Sequence, residues 1–396
     1  MLKILFFALI GIIFYAYLGY GIVLYILLML KKLFGRKTPP LHIDIKNLPA
    51  ITFIIPSFNE EEFILPKIEN TLQLQYPKDK FYLLFVTDGS NDNTNNLIQQ
   101  YPFEKDIRYS LEFQPERKGK IAAVERVMPT ITSPIVIFTD ANTMINETAL
   151  YNIVRHYSNP KVGAVAGEKR IAHENSATAN AAGEGIYWKY ESLLKKWDSA
   201  FNTVVGAAGE LFSIRTELYQ PVEKDTLVED FVMTMRIAQR GYKVVYEPEA
   251  FAVEGHSANM EEEMKRKVRI AAGGLQAVYR LSPILNIFKY GWLSFQYISH
   301  RVLRWTIAPI ALPILFVLNF YLYKTELNPI YKWLMLAQIV FYAFAVIGYF
   351  LEQRKLKIKA FFIPYYFCMM NWAVYRGFFR LIKGNQSVVW EKAKRA

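Results

Sequence analysis

Apolar residues are concentrated toward the two ends of the chain, whereas the middle mixes apolar and polar positions as a globular domain does. Residues 4–30 contain no charged side chain, and this stretch exceeds the roughly 20 residues that a helix needs to cross the hydrocarbon layer. It is also too long for the core of a signal peptide. The pattern predicts an uncleaved transmembrane anchor over residues 1–35 and a proline-containing linker over residues 36–49.

Basic residues directly after this anchor predict its orientation. They are Lys31, Lys32, Arg36 and Lys37. Because positively charged flanks of a membrane helix stay in the cytoplasm, the domain that follows is predicted to be cytoplasmic.

The C-terminal third of the chain predicts a second membrane region, residues 305–382. Within it, residues 305–323 and 331–351 are each apolar and long enough to span, and a short polar turn between them makes a hairpin. The preceding residues, 281–304, mix aromatic and basic side chains, which is typical of a helix in the headgroup plane. We therefore expect a multi-pass protein of the inner or plasma membrane.

The last apolar stretch, residues 360–382, is interrupted by Pro364, Asn371 and Arg376. A full crossing would place the basic tail, residues 383–396, outside the cell, against the charge rule. A re-entrant or interfacial helix would keep that tail in the cytoplasm, and we favour this second topology.

The middle of the chain, residues 50–280, is predicted to be an α/β domain with a mostly parallel sheet. Short apolar runs rich in β-branched residues end in polar turns, and helical patterns follow them. Asn59 is predicted to cap the first of these helices. Ligands bind at the carboxyl ends of the strands in open α/β sheets, so the polar turns are the candidate binding positions.

Composition and charge limit the classes of partner that the chain is predicted to bind. The net charge is +12, but the Lys and Arg residues cluster beside apolar segments, where anionic lipid accounts for them, so no nucleic-acid partner is predicted. The lipid bilayer is the expected partner of these segments. The single cysteine, Cys368, excludes a disulfide framework and a cysteine-based metal site.

Five motifs in the middle domain occur in a characteristic order: IIPSFNEEE, VTDGSNDNT, ERKGK, FTDAN and VEDFVMTMRIAQRGYKVVYEP. This set resembles the inverting family 2 glycosyltransferases, which have a GT-A fold. Together with the flanking membrane segments, it looks like the membrane-integrated branch that contains the synthases of cellulose, hyaluronan and poly-N-acetylglucosamine. The resemblance implies a nucleotide-sugar donor, with UDP as the expected nucleotide.

The resemblance places a metal and donor site at Asp140-Ala141-Asn142. A departing nucleotide diphosphate requires neutralisation of its charge, which favours a divalent cation with hard oxygen ligands. Asp140 and Asn142 are therefore the predicted ligands of Mg²⁺ or Mn²⁺. The amide replaces a second carboxylate, which predicts weaker metal affinity. The structural alternative is that Asp140 only caps a turn after its strand.

Other donor-binding residues follow from the resemblance and lie mainly at strand ends. They are Pro56, Ser57, Glu60, Asp88, Arg117, Lys120 and Arg269. Guanidinium and ammonium groups before a helix suit phosphate binding, although a basic turn can also be simply solvated. The Asp-Gly pair at residues 88 and 89 can likewise be only a turn.

Transfer with inversion requires one base that accepts the proton of the acceptor hydroxyl. The resemblance assigns this role to Asp230, with Glu229 beside it in the catalytic pair. The structural alternative is that Asp230 is the N-cap of the helix that Gly241 would end.

Acceptor-binding residues are predicted at Gly209 and Glu210 in a glycine-containing loop, and at Arg266 and Trp390. Processive synthases carry a QxxRW motif where this chain has Arg266-Lys267-Val268-Arg269-Ile270. Only Arg269 matches, so extension by many sugars does not follow, and Trp390 is a candidate for the missing aromatic platform. A basic helix facing the membrane is the alternative.

Three hypotheses of function follow. The first is transfer of a sugar to a growing polysaccharide at the membrane, with export or accessory proteins as further partners. The second is a single transfer to a polyprenyl phosphate or glycolipid acceptor. The third is a catalytically silent membrane scaffold that binds nucleotide sugar.

Overall fold

The computed structural model describes residues 1–34, 47–172, 179–255, 259–354, 356 and 358–384, with side chains in the helix that begins at Ala179 described from Trp188 onward. The described chain divides into two compact units. The sheet unit comprises residues 30–34, 47–172 and 192–255, and the helical unit comprises the remainder.

Eight strands form one sheet in the described part of the sheet unit, in the order β3-β2-β1-β4-β7-β6-β8-β5. The strands are β1 (Ile51–Ser57), β2 (Phe81–Asp88), β3 (Arg108–Gln114), β4 (Ile135–Thr139), β5 (Thr143–Ile145), β6 (Val162–Ile171), β7 (Leu211–Arg215) and β8 (Lys243–Glu254). Its helices are Ile64–Leu72, Thr94–Gln100, Lys120–Val127, Ala149–Val154 and Glu229–Gln239, and the helix Ala179–Phe201 has residues in both units.

The sheet is mixed, with its parallel part formed by β3, β2, β1 and β4. β7 runs antiparallel to β4 and β6, β8 is parallel to β6, and β5 is antiparallel to β8. The predicted α/β sheet is confirmed. The antiparallel pairings were not predicted, because an apolar run of five residues such as β7 does not reveal the direction in which it pairs.

The core of the sheet unit lies between the sheet and the helices after β1 and β5. All seven residues of β1 are buried, and Phe53 and Ile55 pack with Ile64 and Ile68 of the following helix. Burial of each such side chain contributes about 1.5–3 kcal/mol. This packing fixes the helix Ile64–Leu72 against the carboxyl ends of the central strands.

The predicted start of that helix was wrong. It begins at Ile64 instead of directly after Asn59, whose φ is 51°. The side chain of Asn59 donates to the Asn91 side chain at 2.7 Å and accepts from the Asn91 backbone N–H at 3.0 Å. Asn59 therefore joins the turns after β1 and β2, and local sequence does not reveal such a long-range partner.

Three helices among the described residues are long and apolar enough to cross a membrane: Leu2–Phe34, Ile307–Thr325 and Pro329–Gln353. They coincide with the three predicted spans. The first contains one π-helical stretch, Tyr15–Gly19.

Two further segments complete the helical unit. The region predicted as one interfacial helix, residues 281–304, consists of short helical segments. Pro283 lies in a 3₁₀ turn, Ser282–Leu285, and Gly291 adopts a φ of 52°. Residues 360–382 lie in a single helix, Lys359–Ile382. The remaining elements are the helices Met260–Arg280, Ile287–Tyr290, Trp292–Tyr297 and Leu303–Trp305 and the π-helical stretch Ile298–Val302.

Helices Pro329–Gln353 and Lys359–Ile382 approach each other closely at Gly348. A Cβ atom at this position would lie 2.3 Å from the carbonyl oxygen of Phe361. Small residues permit such close helix contacts in membrane proteins.

We expect Gly348→Ala to destabilise the helical unit by about 1–3 kcal/mol, because the added methyl group must push the two helices apart. The measurement is the midpoint of thermal unfolding of the full chain purified in detergent. Gly11→Ala is the matched control, since a Cβ at Gly11 meets no atom within 4 Å. Equal midpoints for the two variants would contradict the explanation.

Candidate active site

The sheet brings together the polar turns that follow β2 and β4 and the loop that precedes β7. Because β7 is antiparallel to β4, with Thr139 opposite Leu211, the residue before β7 lies at the same sheet edge as Asp140 after β4. The Thr139 hydroxyl donates to the carbonyl of Glu210 at 3.0 Å, which ties this loop to the β4 end. Residues distant in sequence thus form one polar edge.

Asp88, at the end of β2, organises the basic turn that precedes the helix Lys120–Val127. Its carboxylate accepts the backbone N–H of Lys118 at 3.0 Å and that of Gly119 at 2.6 Å. The side chain is 5% exposed. The next residue, Gly89, has a φ of 69°, and a Cβ there would lie 2.7 Å from the Cβ of Arg117. Asp88 and Gly89 therefore shape the turn that carries Arg117.

Arg117 is held by an aromatic ring. Its guanidinium carbon lies 3.5 Å from the centroid of the Phe58 ring, a cation–π contact between the turns after β3 and β1. Partial burial lowers the pKa of Arg117, and the charge of Asp88 acts in the opposite direction. The stacked guanidinium plane suits bidentate binding of a phosphate.

Lys120 joins two carboxylates from different elements. Its ammonium nitrogen lies 2.8 Å from Oδ1 of Asp140 and 3.0 Å from Oε1 of Glu229. Burial alone would lower the pKa of Lys120, but the charges of Asp140 and Glu229 raise it above its usual value. Lys120 is therefore a permanent cation in the site.

Asp230 lies in the first turn of the helix Glu229–Gln239, next to this ion pair. The N-cap of the helix is Val228, so the alternative that Asp230 is the capping residue is wrong. The helix ends before Gly241, as predicted, with a φ of 91° at that glycine. Burial, followed by the charge of Glu229, raises the pKa of Asp230 to about 7.

Gly209 lies against the same groups. A Cβ at this position would be 3.5 Å from Oδ2 of Asp230 and 3.5 Å from Nζ of Lys120. The structure therefore brings the predicted acceptor loop next to the predicted base, and the absence of a side chain at residue 209 leaves space beside Asp230.

A second lysine pairs with the acidic residues at this edge. Lys169, at the end of β6, forms ion pairs with Glu210 and Glu254 and is almost fully buried. The carboxylate of Glu210, predicted to bind acceptor, thus contacts Lys169. Sequence reasoning missed Lys169 and Glu254, because each is a charged residue in an alternating strand pattern that is normally exposed.

The remaining predicted residues are described by the contacts that they make within their own units. Pro56 and Ser57 are the last two residues of β1, and the backbone N–H of Glu60 donates to the Thr94 hydroxyl at 2.8 Å. Arg266 and Arg269 lie on the helix Met260–Arg280 of the helical unit, where Arg266 is buried and forms a 2.9 Å ion pair with Glu263. Trp390 lies outside the described residues.

The residues around Asp140 fit a divalent cation that shares its coordination with a substrate. In the described part of the chain, no three His, Cys, Asp or Glu side chains are grouped to hold an ion alone. Magnesium sites commonly use one or two protein carboxylates together with substrate phosphates and water. Burial, opposed by Lys120 and reinforced by Glu210, raises the pKa of Asp140, so added positive charge would stabilise its ionised form. Asp140 and Asn142 would supply the protein oxygens.

Comparison with known proteins agrees with this geometry. The sequence model of "Glycosyltransferase like family 2" matches residues 49–273, more than half of the chain. The sheet, the ordered turns and this match define a GT-A glycosyltransferase domain. The chain belongs to glycosyltransferase family 2.

Its relatives include polysaccharide synthases. Poly-beta-1,6-N-acetyl-D-glucosamine synthase of Staphylococcus aureus strain COL is 28% identical over 253 residues, which cover 62% of this chain and 59% of that protein. A probable glycosyltransferase of Bacillus subtilis strain 168, YdaM, is 25% identical over 255 residues, which cover 62% of this chain and 60% of that protein. The chain therefore spans about three fifths of the length of these relatives.

A solved structure extends the similarity of fold to nearly the whole chain. The mannosyltransferase PcManGT from Pyrobaculum calidifontis, in complex with GDP-Man and Mn²⁺, superposes with a TM-score of 0.73 at 21% identity. The superposition covers 97% of this chain and 100% of that chain. It supports the fold of the chain.

We expect Asp230→Asn to raise the midpoint of thermal unfolding, and to raise it more at pH 8 than at pH 5. Because the pKa of Asp230 is raised in the folded protein to about 7, ionisation opposes folding progressively as the pH rises from the unfolded value to about 7. The amide removes this penalty.

Asp106→Asn is the control for that experiment. Asp106 is exposed, and its hydrogen bond with Lys78 lowers its pKa, so its ionised form is not disfavoured by folding. We expect no rise in the midpoint for this variant. A midpoint for Asp230→Asn that is independent of pH would contradict a raised pKa of the Asp230 carboxyl group.

Proposed function

We propose that the protein transfers a sugar, with inversion, from a nucleotide diphosphate donor to a glycan at the membrane, with Asp230 as the general base. The observation that carries this proposal is the position of Asp230, whose raised pKa lies near neutrality, beside Lys120, Asp140 and the open position at Gly209. A base is most effective when its pKa lies near the working pH.

The donor diphosphate would bind at the sheet edge formed by the β2 and β4 turns. Arg117, stacked on Phe58, would contact phosphate or base, and Asp140 with Asn142 would hold Mg²⁺ or Mn²⁺. When bound, the cation neutralises the negative charge of the departing diphosphate. The presence of GDP-Man and Mn²⁺ in the mannosyltransferase complex supports this donor class and a divalent cation.

In the proposed reaction, Asp230 accepts the proton of an acceptor hydroxyl. The hydroxyl oxygen attacks the anomeric carbon while the bond from that carbon to the diphosphate breaks on the opposite face, so the configuration inverts. Lys120 keeps Glu229 and Asp140 in place and limits the negative charge around Asp230. No second carboxylic acid is needed, because the leaving group departs as a stabilised anion.

The acceptor in this proposal is a growing polysaccharide, with Gly209 and Glu210 near its entering end. The names of the Staphylococcus aureus relatives support a polysaccharide, and a UDP-sugar is the donor we would test first. Arg266, Arg269 and Trp390 stay candidates for acceptor or diphosphate contacts. The three apolar helices and the basic residues after the first of them support a multi-pass protein with its sheet unit in the cytoplasm.

A second candidate function is a single transfer to a polyprenyl phosphate or glycolipid. It is favoured by the replacement of Gln and Trp of QxxRW by Arg266 and Ile270, and by the ion pair that Arg266 forms with Glu263. The two candidates differ in product length, which separates them in one assay.

The test is incubation of the purified chain, in membranes or nanodiscs, with a panel of UDP- and GDP-sugars and Mg²⁺ or Mn²⁺. Released nucleotide and product size are measured. We expect a ladder of products for polysaccharide extension and one added sugar on a lipid for the second candidate. Binding of nucleotide sugar without turnover for any donor would support the silent scaffold instead.

We expect Asp230→Asn to lower kcat by about 10²- to 10⁴-fold while the donor affinity changes little, because the amide cannot accept the proton. Nucleotide release and donor binding, measured on the same preparation, check this. Asp106→Asn is the exposed control and should retain full activity. Near-normal turnover by Asp230→Asn would exclude Asp230 as the base.

We also expect kcat/KM to rise with pH and to level off above an apparent pKa near 7, since Asp230 acts in its ionised form. The charge of Glu229 raises the pKa of Asp230, so Glu229→Gln should shift this rise to lower pH. The check is a pH profile of both proteins in buffers of constant ionic strength. A shift to higher pH would refute the assigned charge coupling.

A further inference from the structure

Lys67 is a fully buried lysine in the helix Ile64–Leu72, on the core side of the β4 turn. Its ammonium lies 5.8 Å from the ring centroid of Phe53. Burial lowers the pKa of Lys67 to about 7, while the charge of Asp140 acts in the opposite direction. Burial of an ammonium group carries a free-energy cost, so this position requires compensating contacts.

The contacts of Lys67 are at the two ends of the turn that carries Asp140 and Asn142. Its Nζ atom donates to the Thr143 carbonyl at 2.6 Å and to the Thr139 hydroxyl at 3.0 Å. These two threonines are the residues immediately before and after the Asp140–Asn142 segment. A single ammonium group therefore bridges the base of the predicted metal-binding turn.

The same threonines connect the contacts of Lys67 to the polar edge at the ends of β4 and β7. The Thr139 hydroxyl donates to the carbonyl of Glu210 at 3.0 Å, and the Thr143 hydroxyl donates to the carbonyl of Asp140 at 2.9 Å. Displacement of Lys67 would thus disturb the backbone on both sides of the Asp140 carboxylate.

A second contact from the same helix holds the following strand. The Asn70 side chain donates to the carbonyl of Ile145 at 2.8 Å and accepts the N–H of Ile145 at 2.8 Å. Asn70 lies one helical turn after Lys67, but it contacts β5 instead of the Asp140–Asn142 turn. Substitution of Asn70 therefore tests the packing of this helix alone, whereas substitution of Lys67 also removes contacts to the Asp140–Asn142 turn.

We propose that Lys67 is a positioning residue that fixes the Asp140–Asn142 turn in the geometry that binds a divalent cation and the donor diphosphate. This inference rests on the proposed function of Asp140. Lys67 bonds the residues that flank the predicted ligands, and loss of residues that orient metal ligands typically weakens metal affinity or activity by about 10- to 100-fold.

The test compares Lys67→Met with wild type in the full chain purified in detergent. Met is similar in length and apolar, so it fills the space without donating a hydrogen bond. Mn²⁺ binding is measured by electron paramagnetic resonance, and UDP binding is measured by calorimetry with and without Mn²⁺. We expect Mn²⁺-dependent UDP binding to weaken by about 10- to 100-fold, with cooperative thermal unfolding retained.

Asn70→Leu is the matched control. It removes the contact to Ile145 and leaves both hydrogen bonds of Lys67, so we expect a lower unfolding midpoint with UDP affinity within about threefold of wild type. If both variants lost Mn²⁺-dependent UDP binding equally, the effect of Lys67→Met would come from helix packing alone, and the inference would be overturned.

Asp140→Asn separates failure of the inference from failure of the proposed function. If wild type shows no Mn²⁺-dependent UDP or GDP binding and Asp140→Asn is identical to it, the proposed function fails. If Asp140→Asn abolishes binding while Lys67→Met binds as wild type does, the inference alone is overturned. Should Lys67→Met not fold, Thr139→Val removes one acceptor of Lys67 and must weaken binding in the same direction, and unchanged binding would overturn the inference.

Discussion

The candidate active site depends on the ammonium group of Lys120, which lies between Asp140 and Glu229. Carboxylates from the β4 turn and from the helix Glu229–Gln239 lie close together with limited access to water, and their mutual repulsion would otherwise separate these elements. Lys120 offsets that repulsion, while burial still raises the pKa values of Asp140 and Asp230. In the proposed reaction, a raised pKa is what suits Asp230 to act as a base.

Other buried lysines also hold polar groups together near this edge of the sheet. Lys169 joins Glu210 and Glu254 across the ends of β6 and β8, while Lys67 supports the β4 turn from the core side. Two of these lysines, Lys120 and Lys169, thus pair the acidic groups, and Lys67 hydrogen-bonds the two ends of the β4 turn. Such buried charges are costly unless they are paired or hydrogen-bonded, so each fixes one arrangement of its partners. The arrangement of these charged groups is therefore a property of the folded sheet.

Sequence patterns predicted the features that depend on local periodicity. The strands at residues 51–57 and 81–88, the three apolar helices and the end of a helix before Gly241 all follow from apolar spacing or a glycine signal. Features set by distant partners could not be predicted. Asn59 resembles a helix cap in sequence, but its side chain bonds to Asn91. Lys67 resembles an exposed helical lysine in sequence, but in the folded chain it bonds to Thr139 at the start of the β4 turn. The antiparallel direction of β7 is likewise fixed only by its neighbours.

The hydrogen bonds of Asp88 have a thermodynamic consequence for ligand binding. The backbone amides of Lys118 and Gly119 are already oriented in the free protein, so the conformational entropy of this turn is lost during folding. A ligand that meets a preorganised turn avoids that ordering cost at the moment of association. Loop ordering at this corner should then contribute little to the entropy of binding, and affinity there is governed by desolvation and charge.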